Sequence, residues 1–201
     1  MRVRGELLLA MVCAGTMGGC SGMLTSDEPA DHIYWLDAIP LQLGEAQMKP
    51  PVDLIIVVRT VPGLDTDRIL VRGPGARLNH YAGARWPDYL PEVMSALVRL
   101  SLESSGRFDR ISSGSPVRRD DWLLELELRE FFAVVTANGT PPRVHVKLAG
   151  HLSCGPGHTA VSTSATAPAD QDKLSDIVAA FQRATDDVMI DIGRQLEMGC
   201  L

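Results

Sequence analysis

Apolar positions recur along this chain at two spacings, and the spacing separates strands from helices. Leu54–Val58 reads Leu-Ile-Ile-Val-Val, a β-branched run that predicts a strand buried on both faces. Leu124, Leu126 and Leu128 alternate with Glu125, Glu127 and Arg129, which predicts a half-exposed antiparallel strand over Trp122–Phe132. The alternation returns at Val144, Val146 and Leu148, predicting a strand over Arg143–Leu152, with Asn138-Gly139 as the turn between the two. A Ser/Thr-rich stretch, Thr159–Thr166, gives a third strand of this meander, and Ile33–Leu36 and Phe108–Ile111 give two short ones. Ile69–Val71 and Arg77–Tyr81 read as a hairpin around Gly73-Pro74-Gly75. Pro62-Gly63 supplies a turn, Leu64–Arg68 a short helical turn, and the Pro-bearing stretch up to Pro51 irregular chain.

Three- and four-residue spacing takes over in two places. Leu90, Val93, Met94, Leu97, Val98 and Leu102 form one apolar face of a helix that starts near Pro87 and stops at Gly106. Leu174, Ile177, Val178, Phe181, Val188, Ile192 and Leu196 stripe a second helix over Asp170–Met198. Strands, helix, meander, helix predicts a single α+β domain: a mostly antiparallel sheet with two main helices packed on one face.

The first twenty residues follow another logic. Arg2 and Arg4 precede an uncharged run, Leu7–Ala14, and small residues then lead to Met17-Gly18-Gly19-Cys20. The apolar run is too short for a permanent bilayer span and fits the core of an export signal. Small residues directly before Cys resemble the bacterial lipobox, which places cleavage before Cys20 and acyl chains on it. Residues 1–19 are then a lipoprotein signal peptide, 20–31 a small polar tether and 32–201 the domain. Each buried CH₂ contributes about 0.8 kcal/mol, so two or more chains anchor stably. Ser21, rather than Asp, after the cysteine resembles the outer-membrane address of Gram-negative lipoproteins. The alternative is a plain secreted protein with an incidental Cys20.

Loss of Arg2, Arg4 and Glu6 with the leader leaves 17 basic and 24 acidic side chains. No window is strongly basic, which argues against nucleic acid, whose binding rests on phosphate neutralisation. Cys154 and Cys200 remain as an even pair in an oxidising compartment, where a disulfide is the default. His151, Cys154 and His158 offer a zinc site as the alternative, on a loose spacing without a Cys-x-x-Cys. The reading is a disulfide, no metal, and no cofactor beyond the lipid on Cys20. His80, Asp120-Asp121 and Asp186-Asp187 read as solvated surface, and no Ser sits in a nucleophile elbow.

Tyr81, Arg85-Trp86 followed by a helix, and Ser105-Gly106-Arg107-Phe108 at its exit together resemble the ABC-type transport auxiliary lipoproteins. Tyr34-Trp35-Leu36, the Ile69-Leu70-Val71 strand and Phe181 on the last helix extend the likeness over most of the domain. Pro87 departs from the pattern, in which a helix-compatible residue is commoner after the Trp. The resemblance implies a non-enzymatic docking adaptor at the outer membrane, serving an ABC permease and an MCE-domain protein that move lipids between membranes. A lipid-carrying module with an acyl groove, or an assembly or secretion lipoprotein, are the alternatives, and a homo-oligomer is compatible with all three. Tyr81, Arg85, Trp86 and Tyr89 are the candidate partner contacts. For Trp86 the favoured reading is structural, an indole stapling the helix start to the sheet; an Arg-aromatic hot spot is the other.

Overall fold

The computed structural model describes residues 30–44, 52–114, 121–136 and 140–200. Residues 31–201 cluster as one compact unit. Eight strands build one sheet: β1 (His32–Ile33), β2 (Asp53–Thr60), β3 (Arg68–Arg72), β4 (Leu78–Arg85), β5 (Arg110–Ser113), β6 (Trp122–Val134), β7 (Arg143–Cys154) and β8 (Gly157–Pro168). Two helices, α1 (Leu90–Glu103) and α2 (Leu174–Cys200), complete the domain.

The sheet is mixed, not mostly antiparallel as the alternation suggested. Four of its seven strand pairings are parallel: β1 with β4, β2 with β5, β2 with β6 and β3 with β6. The antiparallel pairings are the β3–β4 hairpin and the long meander β6–β7–β8. The local hairpins were read correctly, but the long-range pairings were not. Leu54, Ile55 and Ile56 are all buried, and burial on both faces is what a central parallel strand requires.

The spine of the sheet is β6. One of its edges pairs with β7 along nearly its whole length. The other is shared: β2 pairs with Trp122–Leu128, and β3 takes Ala133–Val134. Where one partner gives way to the other, the β6–β7 register shifts between Leu128 and Glu130, a β-bulge at Arg129. The alternation Leu124, Leu126, Leu128 therefore resumes at Phe131, and the extra residue keeps that ring on the core side. On the partner edge the chain leaves the sheet over residues 61–67 before β3 begins. That excursion is bends and turns, where a helical turn over Leu64–Arg68 was expected.

The other boundaries moved by a few residues. The first helix starts at Leu90, with Pro91 in its first turn, rather than near Pro87. Its exit turn runs to Gly106, whose φ of 63° suits glycine. The second helix starts at Leu174 rather than Asp170. The strand predicted over Ile33–Leu36 shrinks to His32–Ile33, followed by irregular chain. The Asn138-Gly139 turn lies outside the described residues.

The helix α1 packs on β2 and β5, and α2 on β7 and β8. Residues 34–44 run as a strap that touches both helices. Leu41 donates its N–H to the Ser101 carbonyl (3.3 Å) and to Ser104 Oγ (3.0 Å) of the α1 end. Gln182 of α2 accepts the Asp37 N–H and donates to the Asp37 carbonyl, both at 2.8 Å, as a neighbouring strand would. Farther along α2, Leu41 and Leu43 sit against Gly193 and the Gly44 N–H meets Glu197. Gln195 repeats the amide device on the β8 edge, pairing with the Ser162 N–H (2.9 Å) and carbonyl (3.0 Å).

One glycine fixes the meander. At Gly150, opposite Leu126, an added Cβ would stand 1.9 Å from the Glu125 carbonyl oxygen, a backbone atom that cannot swing away. Gly150→Ala should therefore lower stability by about 3 kcal/mol, the upper end of ordinary overpacking costs. Chemical denaturation measures it, and an unchanged midpoint would contradict the close β6–β7 approach.

Candidate functional site

The excursion of residues 61–67 builds the junction between β4 and α1. Its carbonyls receive the two N–H groups that turn the chain: Trp86 donates to Asp67 (2.7 Å) and Leu90 to Thr66 (3.1 Å). Trp86 is thereby driven into the core, with 0 % of its surface exposed. Its indole meets Phe131 of β6 edge-on at 5.6 Å and Phe181 of α2 at 5.2 Å, while the two phenylalanines lie 4.8 Å apart. Three elements distant in sequence are locked at one point. The indole N–H has no hydrogen-bond partner there, so the position is occupied for its apolar area and ring contacts.

The neighbouring side chain turns outward. Arg85 belongs to a closed ring of alternating charge with Asp31, Arg68 and Asp67. Asp31 lies 3.1 Å from Arg68 and 3.7 Å from Arg85, and Asp67 3.7 Å from Arg68 and 3.5 Å from Arg85. All four are partly exposed, so each pair contributes about 0 to 1 kcal/mol. Their value is positional. Asp31 opens the compact unit, and the ring fixes where the chain enters it, beside the β1–β4 pairing and the Tyr34 N–H bond to the Arg85 carbonyl (2.9 Å).

A groove of about 330 Å³ opens beside this entry point. Trp35, Leu36 and Ala38 of the strap form one wall; Pro87, Val93, Leu97 and Leu100 are among the residues of the other, and Asp88 and Glu92 are its charged members. Trp35 is 66 % exposed and Leu100 42 %. The outer edge of β4 is also open: β1 covers only Ala84 and Arg85, and among the described residues no strand pairs with Leu78–Gly83 on that side.

The predicted contact residues therefore separate. Tyr89, ahead of α1, is more than half exposed. Arg85 is partly exposed within its ion ring. Tyr81 is half-buried, its hydroxyl buried without a partner, and its phenol is pushed up to about 12 by burial and then by the charge of Asp172. Trp86 has no surface to offer a partner, so the structural role is the one it fills. Cys20 lies outside the described residues. Cys154 is disulfide-bonded. His151 Nε2 lies 2.9 Å from Glu125, and His158 Nδ1 2.9 Å from Ser153 Oγ, so the two histidines have separate partners. No cluster of three metal-ligating side chains occurs among the described residues. None of the described helices is long and apolar enough to cross a membrane.

The sequence reading missed Asp31, Asp67 and Arg68, whose pairing depends on the excursion, and it passed over Trp35 as a strand residue. Ile33 and Trp35 flank the core-packed Tyr34, and that alternation was the available signal for Trp35.

The family model for the ABC-type transport auxiliary lipoprotein component matches residues 34–193, from the strap to the last turns of α2. The chain belongs to that family. Among curated proteins none matches it. Two solved structures share the fold. One is a Xanthomonas campestris protein assigned to the family model DUF330: 19 % identity, 83 % of this chain and 95 % of that one covered, TM-score 0.71. The other is an uncharacterized protein: 12 % identity, 84 % and 99 % covered, TM-score 0.64. For this auxiliary lipoprotein the matched region contains Arg85-Trp86, so the motif that carried the resemblance is the buried junction and its ion ring.

The side chain of Cys200, the partner expected for Cys154, lies outside what the structure describes. Non-reducing peptide mapping should recover a Cys154–Cys200 linked peptide, and reduction should cost about 4 kcal/mol in the chain-entropy model. Two free thiols would refute the pairing.

Proposed function

We propose that this family member is a non-enzymatic docking adaptor, held at the outer membrane through acylated Cys20. In this reading it binds the MCE-domain protein of an ABC-type lipid transport system. The family match over residues 34–193 carries the reading. The small-residue approach to Cys20, with Ser21 after it, supports the anchor and its address. The open β4 edge supports the docking role, because an unpaired strand offers main-chain donors and acceptors to an incoming strand. Tyr89, an exposed aromatic at the end of the same segment, is of the type that anchors interfaces. The contact accordingly moves from Trp86 to its surroundings: the β4 edge, with Tyr89 beside it.

Truncating Trp86 would cost about 3 to 5 kcal/mol of stability, so its loss says nothing about a contact. The useful variants are Tyr89→Ala and Ala82→Lys, both at exposed positions. The full chain in membranes should capture an MCE-domain protein from the same organism. Each variant should weaken capture, Tyr89→Ala by about 2 kcal/mol if it is a hot spot, with the circular dichroism spectrum unchanged. Cys20→Ser should release the protein from the membrane without abolishing capture. No capture by the parent chain would refute the adaptor reading.

A further inference from the structure

We infer that the face around the chain entry, with Ile33, Trp35 and Leu100 at its centre, rests on the lipid surface of the membrane. The inference builds on Cys20 as the anchor and adds an orientation. Ile33 is 57 % exposed and Trp35 66 %. They flank Tyr34, which packs against the core, and both are left open to the outside. Leu100 faces Trp35 across the groove. These three belong to the small set of large apolar side chains that stay exposed among the described residues.

What favours the bilayer as the occupant of this face is the short chain before it. From Cys20 to Asp31 a fully extended backbone covers no more than roughly 40 Å. A compact domain of this size has a radius of gyration of about 15 Å and hence a diameter close to that same reach. Asp31, where the compact unit begins, therefore stays within that reach of the anchor. The ion ring of Asp31, Arg68, Asp67 and Arg85 holds Asp31 beside β3 and β4. Trp35 lies four residues beyond it.

The chemistry of the face fits the lipid. Trp is favoured at the headgroup boundary, where its ring is buried and its N–H stays wet. The charged members of the groove are Asp88 and Glu92, which anionic headgroups would repel. The surface suited to it is one of net-neutral, zwitterionic lipid. Docking at the β4 edge then takes place beside the membrane contact.

Tryptophan fluorescence tests this directly, because Trp86 and Trp122 are buried at 0 % and 8 % exposure while Trp35 is open. The lipidated chain is reconstituted in phosphatidylcholine vesicles carrying brominated acyl chains, beside Trp35→Phe, which isolates the Trp35 emission by difference. The expected result is loss of most of the Trp35 emission to bromolipid, with acrylamide access below that of soluble Cys20→Ser. If the chain floats with the vesicles yet Trp35 stays fully open to acrylamide and blind to bromolipid, the orientation is wrong and the anchor stands. If the chain does not float, the anchor reading fails and the orientation falls with it. Protection of Trp35 that appears only when the MCE protein is added would give the groove to a protein and overturn the lipid contact.

Discussion

The edge-on packing of Trp86 against Phe131 and Phe181 is the constraint on which the other features of this domain depend. The three rings come from the β4–α1 junction, the C-terminal part of β6 and the first half of α2, and each is fully buried. For Phe131 to reach that point, β6 takes an extra residue at Arg129. For Trp86 to reach it, the chain beside β6 leaves the sheet over residues 61–67 and presents the carbonyls of Asp67 and Thr66. The bulge and the excursion lie opposite each other on β6. Together they let one strand edge serve β2 and then β3, and they leave Asp67 positioned to close the ion ring with Arg85, Arg68 and Asp31. The adjacent Arg and Trp thus do two jobs of different magnitude: the indole supplies stability by burial, and the guanidinium fixes where the chain enters.

Much of this was legible in the sequence, and the failures have physical causes. Period-2 alternation found the meander because each of its strands has one wet and one dry face, as Glu125, Glu127 and the leucines between them show. Period-3.6 spacing found both helices, with errors of a few residues at their ends. The parallel pairings escaped because their partners lie far apart in the chain and no hairpin turn announces them; the doubly buried Leu54–Ile56 was the clue, and it was read only as burial. Arg85 and Trp86 were legible as a motif but not as a division of labour. Which of two adjacent residues points inward depends on the excursion, whose irregular turns carry no periodicity. Gln182 and Gln195 were illegible for a different reason. A glutamine on a helix looks like solvated surface until an extended segment is seen to need a partner for its amide.

The same arrangement supports the docking role we propose. The chain entry at Asp31, the apolar groove and the open β4 edge lie around one junction, whereas the meander carries paired charges such as His151 with Glu125 and Arg129 with Glu127. Exposed apolar surface and an unpaired strand edge are concentrated at that junction. In the adaptor role we propose, such a domain would hold its partner close to the membrane surface.

The most direct measurement is photo-crosslinking in intact membranes, with a photoreactive side chain placed in turn at Ala82, Tyr89 and His151. The account predicts adducts to the MCE-domain protein from Ala82 and Tyr89 and none from His151, on the charged side of the meander. Adducts from His151 with none from the other two would place the docking surface on the opposite side and contradict it.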